Sequence, residues 1–405
     1  MRKNSATAEI RWEGIGHRTT WKPEDEMEEF NQTPSDGKGQ RLRILTVPWR
    51  TIPVSIGYHQ EQSAQADYLI ASITELKTAI KNLPYGQENR VAEAAQRDSV
   101  LTKPPGSLGR LEELASWVCK WQDRHPAKLD NIQVCVFAGN HGIAELGVSA
   151  FPISVTAQMV QNFQQGGAAI NQLATAIGAK LTVAAIDLHR PVLNFVEDEA
   201  MDEAEFVQAF NIGVASVDPE ADLLCIGEMG IGNTTSAAAV CFALWRGNPD
   251  EWCGFGSGVN ESTVALKARL IEQATNLHTA KLSDALEILR VFGGREMVAM
   301  AGAVYAARMH GIPTLLDGFI CCSAAAPLYM VSSDALDHCK VGHSSMEPGH
   351  RKMLAEINQR PLLNLDLRLG EGSGAALAAG LVKAALLCHN GMATFQSAGV
   401  SAKER

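Results

Sequence analysis

Residues 133–142 read QVCVFAGNHG, an apolar run that ends in a polar turn between two glycines. A short apolar run that leads into glycine is typical of a strand buried on both faces. Comparable runs predict strands at 180–187, 222–227 and 313–319. The segments between them place apolar residues at helical spacing. This alternation predicts a doubly wound α/β fold with a mainly parallel sheet flanked by helices.

Helical periodicity begins near residue 64 and continues along the chain. It predicts helices at 66–83, 90–98, 110–121, 154–163, 168–177, 235–244, 261–276, 283–291, 296–310 and 377–387. The helices from the two ends of this region are expected to join in a second, smaller helical domain. The expected boundaries are a small-domain segment at 63–130, an α/β nucleotide-binding catalytic domain at 131–370, and C-terminal helices that return to the small domain at 371–405.

Residues 1–62 differ from the remainder because their helical or strand periodicity is weak and they carry an acidic run at 24–29. Such a segment cannot bury enough apolar surface to order itself. We expect either a poorly ordered extension or a start codon assigned too far upstream.

Composition narrows the function classes. The chain has 405 residues, 46% hydrophobic and 20% charged, with a net charge of -10, which is typical of a globular enzyme and argues against a general nucleic-acid surface. Its nine cysteines form no CxxC pair, so we expect reduced buried thiols rather than disulfides or zinc. No membrane span and no secretory signal are expected, and the predicted location is cytoplasmic.

Ligands of open α/β sheets bind beyond the carboxyl ends of the strands, so the turns that follow the predicted strands are candidate sites. His141 lies in the first turn and either contacts a ligand or holds the turn; no second histidine at helical spacing indicates a metal. The second turn combines small residues at a helix start, which favours an anion. Its candidates are Glu228, Gly230, Gly232, Asn233 and Thr234. Glu228 is either a working carboxylate, a ribose anchor or a turn cap.

Further along, residues 254–259 read GFGSGV, and Lys267 follows one helical stretch later. Gly256, Ser257 and Gly258 with this lysine suit a phosphate monoester, although a solvated helix lysine is the alternative.

Three later turns add weaker candidates. Arg295 and Glu296 are expected to be a structural pair. Asp317 lies near the end of the last predicted strand, and Ser345 lies in GHSSMEPGH at 342–350; both are candidates for substrate binding. The latter stretch could suggest zinc or a hydrolytic triad. No GxSxG surrounds its serines, so a triad is not predicted, and no convincing metal cluster is found in the sequence.

Residues 368–376 read RLGEGSGAA and place Glu371 among glycines before an apolar helix. Glycines such as Gly372 let the backbone approach a ligand closely. Glu371 is either a base in a small-molecule site or a cap of a glycine-rich turn.

Four motifs taken together resemble one family. They are KPPGSLGRLE at 103–112, AGNHG at 138–142, EMGIGNTT at 228–235 and GEGSGA at 370–375. From about residue 66 to 387 the chain resembles the nicotinate-nucleotide:dimethylbenzimidazole phosphoribosyltransferases of cobalamin assembly.

The resemblance implies a homodimer that transfers phosphoribosyl from nicotinate mononucleotide to 5,6-dimethylbenzimidazole, giving α-ribazole 5′-phosphate and nicotinate without a cofactor or metal. The family's catalytic glutamate falls on Glu371, its second carboxylate on Glu228 and its lysine on Lys267. The stretch that lines the base pocket falls on 149–159, with Phe151 and Met159 as its apolar residues.

Two other functions are weighed against this one. A non-catalytic nucleotide-binding or sensing protein would keep the same pocket, but the intact glutamates and lysine argue against it. An NAD-linked dehydrogenase is weakened because no GxGxxG with a downstream acidic residue follows the first predicted strand.

Overall fold

The computed structural model describes residues 42–47, 67–256 and 258–401. The strands of this part of the chain are β1 Leu42–Val47, β2 Ile132–Ala138, β3 Lys180–Ile186, β4 Leu223–Met229, β5 Thr314–Leu316 and β6 Cys339–Val341. They form one sheet in the order β1-β3-β2-β4-β5-β6, and every pairing is parallel. The predicted α/β fold with a parallel sheet is therefore confirmed.

Helices connect the strands and cover both faces of the sheet. They are α1 Ile73–Ile80, α2 Glu88–Asp98, α3 Arg110–Trp121, α4 Val155–Gln164, α5 Ala169–Ile177, α6 Glu203–Ser216, α7 Asn233–Trp245, α8 Glu261–Leu277, α9 Ala285–Phe292, α10 Arg295–Met309, α11 Phe319–Val331, α12 Pro348–Glu356, α13 Ser373–Gly391 and α14 Phe395–Ala398. Short 3₁₀ turns lie at Gly142–Leu146, Pro249–Glu251 and Thr279–Lys281.

Strand β2 is apolar at nearly every position because both of its faces are covered. Cys135 and Phe137 belong to a core cluster shared with α6, α7, α10 and α11. Val134 and Val136 belong to a second cluster shared with α3, α5 and α13. Because side chains alternate along a strand, a sheet with helices on both faces needs apolar residues throughout.

Helices from both ends of the described region meet on one face. Ala94 of α2, Trp117 of α3 and Ala378 of α13 share the second cluster, as expected for a helical layer built from distant segments. Helix α1 differs, because Ile73 and Leu76 pack into the first cluster on the opposite face. The division of the chain into two domains stays a prediction.

Some elements were not predicted from the sequence. Strand β1 lies at 42–47, inside the segment expected to be poorly ordered; the rest of that segment up to residue 62 lies outside the described residues. The sequence pattern does not indicate this strand, because it lies at the edge of the sheet and its residues are only partly buried. Strand β6, with only three residues, and helices α6, α11 and α12 were also missed. The predicted strand at 313–319 is shorter because α11 begins at Phe319.

Across the part of the chain that the structure describes, no helix combines the length and apolar character needed to cross a bilayer.

Candidate active site

The strand order creates a crevice between β2 and β4. The chain leaves β2 for β3 on one side and then returns to β4 on the other side, so the loops after β2 and β4 diverge. Ligands of doubly wound sheets bind at this switch point. The two loops still touch at their bases, where Gly139 donates its N–H to the Met229 carbonyl at 3.0 Å. A Cβ on Gly230 would lie 2.8 Å from the Gly139 carbonyl, so this close approach requires glycine.

A cavity occupies the crevice and gathers many of the predicted residues. Those that line it are Glu228, Gly230, Gly232, Asn233, Thr234, Gly256, Asp317 and Ser345. They come from four separate stretches of sequence, at the ends of β4 and β5, in the loop after α7 and in the loop after β6. The sheet edge therefore brings the predicted turns into one site.

Glu228 is the acidic residue at the centre of this crevice. It stands one residue before the end of β4, opposite Phe137 of β2, and is 5% exposed. Asn233, in the first turn of α7, donates its side-chain N–H to the Glu228 carboxylate. Burial raises the pKa of Glu228 to about 8, and the nearby Asp317, Glu296 and Glu371 add to the rise. At neutral pH this carboxyl is mainly protonated.

Glu371 is held against Glu228 by its backbone. Its N–H donates to the Glu228 carbonyl at 3.2 Å, and its φ of 63° lies in the left-handed region, which is costly for a residue with a side chain. The preceding Gly370 lines the cavity, whereas the Glu371 carboxylate lies behind it, 3.5 Å from the Ile170 N–H. Burial, with a smaller contribution from Asp317, raises the pKa of Glu371.

Asp317 fixes the loop that carries Glu371. Its two carboxylate oxygens accept the N–H groups of Gly372 at 3.2 Å and Ala375 at 2.9 Å, at the start of α13. His343 Nε2 lies 3.7 Å from the same carboxylate. Asp317 lines the cavity, but both of its oxygens are engaged by protein N–H groups. Its contacts indicate that it positions the loop around Glu371.

A lysine lies beneath the glycine-rich turn at one end of the cavity. Lys267 is 2% exposed, and its Nζ donates to the Gly254 carbonyl at 3.1 Å and approaches Thr234 Oγ1 at 3.4 Å. Burial lowers the pKa of Lys267, and the nearby Glu347 opposes that shift. Lys267 does not line the cavity, but Gly256, directly above its Nζ, does. A Cβ on Gly256 would come within 3.2 Å of that nitrogen.

The other predicted residues that the structure describes lie outside the cavity lining. Gly372 is in the loop behind it, and Gly258 has a φ of 107° in an open turn. Phe151 is half exposed beside Ser149, which does line the cavity, and Met159 packs against the second core cluster. Ser257 lies outside the described residues.

His141 lies in the wall behind the site. Its Nδ1 is 2.8 Å from Ser236 Oγ, and its Nε2 is 2.5 Å from Glu296 Oε1. All three residues are at most 1% exposed and none lines the cavity, so this Ser-His-Glu arrangement ties the β2 loop to α7 and α10. Glu296 was expected to pair with Arg295, but Arg295 contacts Glu205 at 2.6 Å while Glu296 contacts the histidine.

Three hydrophilic lining residues were not among the predicted site residues: His343, Glu347 and Arg368. Ser149, which also lines the cavity, begins the stretch 149–159 that the resemblance places at the base pocket. Glu347 is the most informative, because one oxygen accepts the Gly256 N–H at 2.8 Å while the other is buried without a hydrogen bond. It follows the predicted Ser345 by two residues, so the motif at 342–350 could have indicated Glu347 as a further site residue. Ser345 itself donates its backbone N–H to His350 Nδ1 at 2.9 Å, which is not the contact of a hydrolytic triad.

Glu228→Gln is expected to flatten the pH dependence of stability. The native chain binds the Glu228 proton more tightly than the unfolded chain between pH 4.5 and about 8. The free energy of unfolding therefore falls as pH rises through that window, by at most about 1.4 kcal/mol per pH unit for one proton. Glutamine cannot titrate, so the variant loses this part of the slope in urea denaturation at several pH values.

The matched control is Glu272→Gln, which changes an exposed glutamate on α8 and should keep the native slope. An unchanged slope in Glu228→Gln would contradict the assignment of a buried, mainly protonated carboxyl.

The fold and cavity together define a class of protein. A parallel α/β sheet carries buried carboxylates and a lysine-backed glycine turn at its switch point. Such a fold and cavity define an α/β enzyme with a small-molecule site at the carboxyl edge of its parallel sheet.

Comparison with known proteins gives the family. The model of a family described as phosphoribosyltransferase matches residues 84–400. The chain is 51% identical over 332 residues to the nicotinate-nucleotide–dimethylbenzimidazole phosphoribosyltransferase of Ruegeria sp. (strain TM1040), covering 82% of this chain and 98% of that one. The Methylocella silvestris protein of the same name is 50% identical over 333 residues, with 82% and 98% coverage. The chain belongs to the nicotinate-nucleotide–dimethylbenzimidazole phosphoribosyltransferase family.

A solved structure agrees. The crystal structure of CobT from Thermus thermophilus superposes with a TM-score of 0.72 at 38% identity, covering 78% of this chain and all of that one.

Proposed function

We propose that the protein transfers the 5-phosphoribosyl group of nicotinate mononucleotide to 5,6-dimethylbenzimidazole in cobalamin nucleotide-loop assembly. The products are α-ribazole 5′-phosphate and nicotinate. Membership of the family supports this reaction, since relatives that match nearly their whole length carry its name. The observation that carries the mechanism is the meeting of Glu228 and the Glu371 loop at the switch point.

The chemistry needs a base rather than an acid. Nicotinate leaves C1′ as a neutral pyridine, because the pyridinium nitrogen already carries the positive charge that the bond electrons cancel. The incoming benzimidazole attacks C1′ through one ring nitrogen and must lose the proton of the other. A carboxylate beside that N–H can accept it. Attack from the face opposite nicotinate turns a β-nucleotide into an α-product.

We assign the base to Glu371. Its raised pKa brings it closer to neutrality than an ordinary carboxyl, which improves a general base. The hydrogen bond that its carboxylate accepts from the Ile170 N–H is long at 3.5 Å and therefore weak. Replacing that N–H with a stronger hydrogen-bond donor therefore costs little interaction energy.

Glu228 acts on the ribose in the proposed reaction. Without substrate this carboxyl is mainly the neutral acid. A bound pyridinium and the positive charge that develops on the ribose favour the ionised form. When the positively charged pyridinium ring is bound, the carboxyl loses its proton to solvent, and the carboxylate opposes the positive charge that develops on the ribose.

The phosphate occupies the end of the cavity near Lys267. Asn233 and Thr234 open α7, where a helix N-terminus favours an anion. Gly230, Gly232 and Gly256 bring backbone close to the ligand. Binding energy from this remote phosphate holds C1′ in place for attack.

The base pocket lies on the side of Ser149, where Phe151 and Met159 supply apolar surface. Gly372 lets the loop of Glu371 approach the same side, and Ser345 and Asp317 complete the wall. His141 supports that wall from behind.

The protein is also proposed to be a homodimer. Support comes from exposed apolar side chains near the cavity, among them Phe151, Phe255, Met346 and Leu369, each at least half exposed. Apolar surface around a site is typical of an interface between subunits. Sedimentation equilibrium of the full chain decides between a dimer and a monomer.

The full chain should release nicotinate from nicotinate mononucleotide only when dimethylbenzimidazole is present, with α-ribazole 5′-phosphate formed in equal amount. Chromatography of both products measures this. Release of nicotinate without the second substrate would contradict the transfer. Binding of both substrates without any product would favour the alternative of a nucleotide-binding or sensing protein, which the family membership does not favour.

A further inference from the structure

A group of potential metal ligands lies in the helical layer away from the cavity. It consists of Cys119 near the end of α3, His125 in the loop that follows, and His389 in the last turn of α13. Their ligand atoms all lie within 4.8 Å of one another. Cys119 and His389 are buried, and His125 is half buried, so the group can be reached from one side.

The two imidazoles already have the separation of metal ligands. His125 Nε2 and His389 Nε2 lie 3.1 Å apart. Zinc–nitrogen bonds of about 2.0–2.1 Å at tetrahedral angles place two ligand nitrogens roughly 3.3 Å apart. The same geometry with a zinc–sulfur bond of about 2.3 Å places sulfur and nitrogen roughly 3.5 Å apart. The three ligand atoms lie within 4.8 Å of one another, so an inward shift of about 1.3 Å or less brings them to these separations.

A carboxylate stands behind one of the imidazoles. Asp98, the last residue of α2, lies 3.7 Å from His389 Nδ1, on the ring edge away from His125. Histidines that bind a metal through one nitrogen commonly direct the other towards a carboxylate. Lys103 contacts the same carboxylate at 2.9 Å, which holds Asp98 in place.

The group is remote from the proposed chemistry. Helix α13 begins at Ser373, beside Glu371, and His389 lies sixteen residues further on. At 1.5 Å per residue the two ends are about 24 Å apart. A metal at this position therefore contacts no substrate, and it links segments that are distant in the sequence.

We propose that Cys119, His125 and His389 bind a zinc ion that joins α3 and the loop after it to the C-terminal end of α13. A thiol and two imidazoles are the donors that zinc selects. Cys119 binds as the thiolate and its proton passes to solvent. Water completes the fourth position from the side of His125. The spacing of these residues, six and then 264 apart, matches no sequence motif for zinc, so the sequence predicted none.

Metal content tests this directly. The full chain is stripped with a chelator, incubated with zinc chloride and passed over a desalting column before elemental analysis. We expect about one zinc per chain for the native protein. Cys119→Ser and His389→Gln should weaken binding at least tenfold, the loss that even outer-shell partners produce. Cys388→Ser, which changes the neighbouring half-buried thiol, is the matched control and should bind as the native protein does.

Replacing zinc with cobalt(II) shows whether a cysteine thiolate binds the metal. A thiolate-to-cobalt charge-transfer band should arise in the native chain and in Cys388→Ser but not in Cys119→Ser. His125→Gln, at the half-buried position, tests the site in case the buried variants fail to fold. The proposal is overturned if the native chain retains no zinc, or if Cys119→Ser and His125→Gln retain it as the native chain does. In either case the two histidines share only a hydrogen bond.

Discussion

Glu371→Gln lowers kcat for phosphoribosyl transfer by about 10² or more, the usual scale for a positioned general base. Glutamine keeps the shape of the side chain but cannot accept the benzimidazole proton. The KM values for both substrates should therefore change little. Steady-state kinetics with each substrate varied separates the two parameters.

Two controls sharpen this experiment. Glu356→Gln, an exposed change at the end of α12, should keep native kinetics. Formate should restore part of the activity of Glu371→Ala if the missing function is proton acceptance. Because the pKa of Glu371 is raised in the ligand-free protein, the acid limb of the native kcat/KM profile should lie above the range of an ordinary carboxyl. That limb should be absent from Glu371→Gln. A native kcat in Glu371→Gln would remove this residue from the chemistry.

Gly227→Ala should abolish most activity without touching a substrate. Its Cβ would lie 2.3 Å from the Gly372 nitrogen and 2.5 Å from the Glu371 carbonyl carbon, both backbone atoms. The loop that carries Glu371 must then move away from β4. A displacement of about 1 Å at a catalytic group can cost about 10²-fold in rate. Overpacking in a buried strand also costs about 1–3 kcal/mol of stability.

Gly380→Ala is the matched control for this change. It adds the same methyl group within α13, where the nearest heavy atom is Ile177 Cγ2 at 3.8 Å, an ordinary contact. Alanine in a helix interior should stabilise the protein by about 0.5–1 kcal/mol and leave kcat unchanged. Melting temperatures and kinetics of the two variants measure both effects. Native activity in Gly227→Ala would mean that the position of this loop does not matter.

The sequence predicted the parts of the fold that bury continuous apolar runs. Strands β2, β3 and β4 were found for this reason, and α3 was placed with its observed bounds. Strand β1 was missed because an edge strand is apolar only in part, and β6 because three residues carry too little pattern. Helix α11 was missed because its small residues and Pro327 hide its helical character.

The candidate site was predicted where its residues follow strands or open helices. Glu228 and Asp317 could be placed together because parallel strands end at one edge of the sheet. Glu347 could not, because its role rests on a contact with Gly256 across 91 residues and on a buried oxygen without a hydrogen bond. His141 was a candidate to face the ligand, but its position in the wall depends on partners at 236 and 296 that local sequence does not reveal.

A crystal structure of the protein with bound dimethylbenzimidazole tests the mechanism most directly. The account predicts a Glu371 carboxylate oxygen within about 2.6–3.2 Å of a ring nitrogen, having left the Ile170 N–H. A complex in which the carboxylate stays on Ile170, with the ring bound elsewhere and another group on its N–H, would contradict the account.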